Sequence, residues 1–587
     1  MIFVWKLRGV VCSLMLLGVA IPARSEEFRS KDLLIDAKLL PQGQYYQATV
    51  PDTLDLADRA RLSLRILTNN IKDCNLLQKD ARAIPLLRTM CGSREYLEQQ
   101  KGIVGPLVDQ VLSYAARRSS SKVFYVGPGL GISISFMPGY YEQTGDRRWL
   151  EVMRRGGEQL AHDAIRVQDR AYYPPESWPD ANGVWRFADE RGKPRIPYTP
   201  PDEPYLDQQG FEGDVKWENC WALRGWVRIH ECTHEPQWLE MAQKLRRFLM
   251  KPTMWEQPND PVRPGYQHGI WGGHFHANMG TLQGLLDLAV ATNDYDLKRI
   301  VREGYEHALA NGIVRMGWFP CWTTPEKYGR PGWLLGENEA CAVADLMILA
   351  VKLTDAGLGD YWDDVDSIVR NHLTELQFAD EDRLVAVGGE AARSYLGGFQ
   401  QVKLTANPIR IHNCCSANGA IGLYFAWHGI TRFDNGVARV NLLLNRASKW
   451  MDVDSYLPYE GKVVLHNKLA HTAEVRVPRW VDWHEVKRCV NEVPVTAEYA
   501  KGYLVFKQLK PSDVIRLEFP VPTRTEKHFI YDKTYTVTFK GSTVVDIQPR
   551  DTTAGLYPLY HREKMKGNQA PMKSVTRFAT EKEFSLR

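Results

Sequence analysis

The chain has 587 residues, 44% of them hydrophobic and 25% charged, the balance of an ordinary globular protein with room for more than one domain. Its formal net charge is +4 and no basic block stands out in it, which argues against a nucleic-acid partner and against a disordered or fibrous chain. The 18 tryptophans and 26 tyrosines supply flat amphipathic rings that suit sugar faces as well as cores.

In chain order, residues 1–25 come first: Lys6 and Arg8 precede an apolar run that ends at the small residues Ala23 and Ser25. This is the pattern of a signal peptide, too short in its apolar part for a membrane span, so export to the periplasm or the medium is expected, without stable membrane insertion.

Over residues 26–434 an apolar helix, a polar turn and an amphipathic helix recur, as in "CWALRGWVRIHECTHEPQWLEMAQKLRRFL" and "TLQGLLDLAVATNDYDLKRIVREGYEHAL", with turns at Thr144, Thr233, Thr292 and Thr354. Helical hairpins repeated in this way predict a helical toroid, the first helix of each pair facing inward and the second covering it. The Pro- and aromatic-rich insertion from Tyr172 to Lys216, which includes Trp185, lacks helical periodicity and reads as a loop at the mouth of a cleft.

From about Asn435 the period changes to alternation. "ARVNLLLN", "KVVLHNKL", "AEVRVPRW", "GYLVFKQL" and "VIRLEFPV" predict an antiparallel β-sandwich over 435–525, followed by a β-rich tail over 526–587.

Two short stretches carry chemistry. In "GENEAC" Glu339 and Cys341 open an apolar helix, and in "HNCCSAN" Cys414 and Cys415 open another. Neighbouring cysteines sit too close along the chain to bridge each other, so each needs a partner elsewhere. Three sulfurs and a carboxylate at two helix N-termini form a four-coordinate set that suits Zn2+, the thiols being lowered by the helix ends and by the ion. The alternative is a pair of disulfides from Cys414 and Cys415 to residues such as Cys321 and Cys341.

Glu339-x-Cys341 followed by Cys414-Cys415-x-x-Asn418 resembles the zinc–cysteine motif of the β-L-arabinofuranosidases of glycoside hydrolase family 127, and "HANMGTLQGLLDLAVATND" resembles that family's His-Ala-Asn helix. The resemblance implies an (α/α)6 barrel with β-sandwich material and a secreted retaining exo-glycosidase acting on a β-linked arabinofuranose or similar sugar in a glycan. It implies Zn2+ held by Glu339, Cys341, Cys414 and Cys415, with Cys414 as nucleophile. An acid/base carboxylate is expected on the loop before Glu339, at Glu326, with Glu337 in reserve. His276 matches the substrate-contacting histidine, while His274, His412 and Glu218 are further candidates for substrate contact. Where the family has a histidine beside that glutamate, this chain has "KWENCWAL", which leaves the sugar open. Two other readings stay open: a polysaccharide lyase on a helical toroid, and a glycan-binding protein with a structural zinc.

Overall fold

The structure, a computed structural model, describes residues 28–69, 77–114, 126–173, 177–179, 185–188, 194–198, 214–251, 255, 274–321, 337–402, 404–411 and 413–585. The expected signal peptide, Glu326 and His412 lie outside the described residues, as does the side chain of Glu218.

Twelve helices alternate between two roles: α1 (Leu56–Asn69), α2 (Leu77–Cys91), α3 (Leu97–Tyr114), α4 (Val126–Thr144), α5 (Arg148–Asp163), α6 (Asp214–Thr233), α7 (Pro236–Leu249), α8 (Phe275–Ala291), α9 (Tyr295–Leu309), α10 (Ala340–Asp355), α11 (Trp362–Ile368) and α12 (Asn413–Ile430). Even-numbered helices pack in succession, α2 on α4, α4 on α6, and so on to α12, which returns to α2. Odd-numbered helices lie behind them, α1 against both α2 and α12.

Sequence explains the division. In α10 the residues from Ala340 to Leu353 are all buried, as a helix surrounded by neighbours must be. In α9 burial falls on Leu297, Val301, Tyr305 and Ala308, a single stripe at helical spacing. Inner helices touch closely: a Cβ built on Gly131 of α4 would stand 2.6 Å from the backbone carbonyl of Trp221 in α6.

The four threonine turns share one device. Each hydroxyl donates to the carbonyl four residues back: Thr144 to Tyr140 (2.7 Å), Thr233 to Ile229 (2.8 Å), Thr292 to Leu288 (2.8 Å) and Thr354 to Ala350 (2.9 Å). That carbonyl of the last turn thereby accepts a second donor besides the helical N–H, and a residue of positive φ follows at Gly145, His234 and Asn293.

The insertion is not wholly a loop. Ser177–Pro179, Trp185–Ala188 and Pro194–Tyr198 form a small antiparallel sheet.

Beyond α12 two five-stranded sheets follow. The first runs Thr431–Asp434, Val437–Val440, Thr472–Arg476, Tyr503–Lys507, Glu498–Ala500, and the second Met451–Ser455, Lys462–Asn467, Val514–Glu518, Lys487–Val490, Val493–Pro494. The expectation of a purely antiparallel sandwich needs correcting, because Val437–Val440 pairs parallel with Thr472–Arg476. Between these two strands the chain crosses to the second sheet and back, and a connection of that length permits parallel pairing. Arg446, fully buried, donates from Nη1 to the carbonyls of Trp427 (2.9 Å), His428 (3.2 Å) and Thr431 (2.7 Å), so a sandwich residue satisfies the C-terminal end of α12.

The tail forms a meander of Thr523–Ile530, Lys533–Lys540 and Thr543–Gln548, and its last strand, Met572–Thr580, returns to the start of the chain. There it pairs antiparallel with Gly43–Pro51 along nine residues, Gly43 opposite Thr580 and Pro51 opposite Met572. Past this strand the Phe584 amide donates to the Tyr424 hydroxyl of α12 at 2.9 Å.

Candidate active site

The first turns of five inner helices each place a polar or thiol side chain in the interior: Lys79 on α2, Lys216 on α6, His276 on α8, Cys341 on α10, and Cys414 with Cys415 on α12. Backbone N–H groups at those turns have no intrahelical acceptor, so the ends carry partial positive charge and favour anionic partners such as thiolate.

Cys341, Cys414 and Cys415 converge, their sulfurs all within 4.8 Å of one another and Cys414 Sγ 4.0 Å from Cys415 Sγ. Glu339 is the N-cap of α10, and its Oε2 lies 4.0 Å from Cys415 Sγ. Cys341 and Cys415 are buried, whereas Cys414 is partly exposed. No disulfide is formed by the described cysteines, so the disulfide alternative is not what the fold adopts among the described residues.

Burial pushes the Cys341 thiol well above its ordinary range, and neighbouring sulfurs add to the shift; burial does the same for Cys415. Thiols buried like Cys341 and Cys415 stay protonated in such a place unless a cation joins them. The donor set fits one. Sulfurs around a tetrahedral Zn2+ at 2.3 Å stand about 3.8 Å apart, close to the 4.0 Å between Cys414 and Cys415, and thiols with one carboxylate suit a soft or borderline divalent cation.

The surroundings are charged and paired. His274 Nε2 meets Glu339 Oε1 at 2.5 Å; burial alone would raise the Glu339 carboxyl, but His274 and His276 hold it below its usual value. His276 Nδ1 stands 2.5 Å from Asp345 Oδ2, and Asp345 Oδ1 accepts from Asn418 Nδ2 at 3.0 Å. Against the raising effect of burial, His276, Arg224 and Lys79 bring Asp345 down to about 2. Lys79 Nζ lies 3.4 Å from His276 Nε2; burial would lower its ammonium, but Cys341, Cys414 and Asp345 overturn that and raise it. Lys216 donates to Asn278 Oδ1 at 2.5 Å and lies 4.6 Å from the Trp255 ring, and burial brings its pKa down to about 7.

Of the residues singled out in the sequence, Glu339, Cys341, Cys414, Cys415, His274 and His276 are thus brought together. Glu337 is buried, and its carbonyl accepts from the Cys321 amide at 2.8 Å. Lys79, Lys216 and Asp345 were not anticipated. Asp345 is an acid within an apolar helix, whereas Lys79 and Lys216 sit among other charged residues in the first turns of theirs, so only the inward face of the repeat marks them out.

No protein-family model matches the chain and no curated protein matches it. Solved structures do. A glycoside hydrolase superposes with a TM-score of 0.57 at 14% identity, over 86% of this chain and 83% of its own. A family GH127 β-L-arabinofuranosidase from Geobacillus stearothermophilus T6 gives 0.50 at 13%, over 90% and 95%, and a further GH127 β-arabinofuranosidase gives 0.50 at 12%, over 89% and 93%. At such identities the fold is what is shared.

Proposed function

We propose that this chain is an exported retaining exo-glycosidase that releases a β-linked L-arabinofuranose or a similar sugar from a glycan, with Cys414 as nucleophile and Glu326 as acid/base. The ring of inner and outer helices is read as an (α/α)6 barrel, and the likeness to glycoside hydrolases along most of the chain supports that reading. One observation carries the assignment: within the sulfur trio only Cys414 reaches solvent, while Cys341 and Cys415 are sealed.

Glu339, Cys341, Cys414 and Cys415 would hold Zn2+. Bound there, the ion supplies the positive charge that keeps buried sulfur deprotonated at neutral pH. Lys79 adds a fixed ammonium beside the same sulfurs. Cys414 Sγ attacks the anomeric carbon, forming a C–S bond as the glycosidic C–O bond breaks, and Glu326 gives its proton to the departing oxygen. Water, deprotonated by the same carboxylate, then displaces the sulfur from the opposite face. Two inversions retain the configuration, as in glycosidases with two carboxylates. His276, His412 and Glu218 are assigned to the sugar hydroxyls, while His274 is held against Glu339.

The test uses an aryl β-L-arabinofuranoside with the parent, Cys414→Ser and Glu326→Gln. Cys414→Ser is expected to abolish turnover, and Glu326→Gln to slow mainly substrates with poor leaving groups. Equal turnover by Cys414→Ser and the parent would refute the nucleophile. A protein that binds glycans and zinc without turning over any substrate would be a binding module with a closed four-ligand zinc site.

A further inference from the structure

Glu339 faces two ways. Its Oε2 looks toward the sulfur trio, 4.0 Å from Cys415 Sγ, and its Oε1 meets His274 Nε2 at 2.5 Å. On that second side stands another thiol, Cys321, and the ligand atoms of His274, Cys321 and Glu339 all lie within 4.8 Å of one another. We propose that these three residues form a second divalent-cation site, with the Glu339 carboxylate bridging it to the site at Cys341, Cys414 and Cys415.

The backbone holds the three ligands in place without any ion. The Phe275 amide, next to His274, donates to the Cys321 carbonyl at 3.0 Å, and the Cys321 amide donates to the Glu337 carbonyl at 2.8 Å. Asn338–Glu339 in turn pairs with Gln401–Val402. His274 and Glu339 are both N-caps, of α8 and α10, so three chain segments meet at one point through direct main-chain bonds. Cys321 is 1% exposed, so its sulfur lies in the interior beside Glu339.

Charge points the same way. Three thiolates and a carboxylate around one divalent ion leave two negative charges over in a buried place; a second ion with one more thiolate leaves a single one, which the Lys79 ammonium opposes. One nitrogen, one sulfur and one carboxylate oxygen suit Zn2+, and three protein ligands leave a fourth position for water. The site at the sulfur trio, with four protein ligands, has no such position. Nitrogen and oxygen ligands of one tetrahedral zinc stand about 3.3 Å apart, so the His274–Glu339 contact lengthens by about 0.8 Å when both ligate.

This inference shares Glu339 with the proposed glycosidase centre, and metal counting separates the two. The full chain, purified with reductant, is equilibrated with Zn2+ alone and desalted, and zinc per chain is measured by mass spectrometry for the parent, Cys321→Ser, His274→Gln and Cys341→Ser. The parent is expected to hold about two zinc ions, and Cys321→Ser and His274→Gln about one each. With Co2+ in place of zinc, Cys321→Ser should lose about a quarter of the sulfur-to-cobalt charge-transfer absorption, since one thiolate in four is gone. If Cys321→Ser misfolds by circular dichroism, Cys321→Ala is read in its place. One zinc in the parent, lost in Cys341→Ser and kept in Cys321→Ser, overturns the second site and leaves the first; His274 would then only orient Glu339. No zinc in the parent overturns both.

Discussion

Acid should loosen the junction between the helices and the tail, and one buried histidine contributes a definable share. His372, in the turn of wide helix at Val369–Leu373 that continues α11, is fully buried, with Nδ1 2.8 Å from the hydroxyl of Tyr560 in the tail and the two rings stacked at 6.3 Å. Glu375 and Arg562, paired at 2.7 Å, are the charges beside it. Burial, opposed by Glu375 and aided by Arg562, lowers its pKa from 6.5 to about 3. Above the unfolded value both states hold a neutral ring and pH has no effect. Below it the unfolded chain takes up a proton that the folded chain refuses, so stability falls with pH until the folded pKa is reached. At 1.4 kcal/mol per unit the loss is about 2 kcal/mol at pH 5 and about 5 kcal/mol at most near pH 3. Other groups titrate in the same range, so the assay is a difference. Urea unfolding of the parent and of His372→Asn, which keeps a polar group near Tyr560, is followed at about pH 7.5 and about pH 5, and the variant should lose about 2 kcal/mol less than the parent. Equal pH dependence in the two proteins would refute the account.

Three further outcomes are expected. Gly131→Ala should destabilise by about 1–3 kcal/mol, because its methyl meets the Trp221 backbone, which cannot rotate away; thermal unfolding reads this. Phe578→Ala should cost about 3 kcal/mol, since this 5% exposed ring packs 4.8 Å from Tyr45 across the strand pair that joins the chain ends, and denaturant midpoints would register the change. A strong chelator should lower the unfolding midpoint of the parent by several degrees and have a much smaller effect on Cys341→Ser, if a cation ties α10 to α12.

Much of the architecture was legible because its signals are local. Threonine at a helix end, followed by a residue that tolerates positive φ, recurs at Thr144, Thr233 and Thr292 for a reason of hydrogen bonding, and the apolar inner helices follow from being enclosed. The convergence of Glu339, Cys341, Cys414 and Cys415 was legible because they come as two close pairs at helix starts. The parallel pairing of Val437–Val440 with Thr472–Arg476 was not, since alternation specifies a strand and its face but not its neighbour. Nor were Lys79 and Asp345, whose meeting around His276 depends on three separate helices. Cys321 appeared in the sequence only as a disulfide candidate; its place beside Glu339 comes from main-chain bonds among segments far apart in the chain.

The pairing of Gly43–Pro51 with Met572–Thr580 bears on how the molecule is made. Met572 comes about 520 residues after Pro51, so the edge of the first strand waits for all of the intervening chain to be made before it is covered. Until then it offers bare amides and carbonyls to any extended neighbour, and a polypeptide halted before Met572 would keep that sticky margin for good.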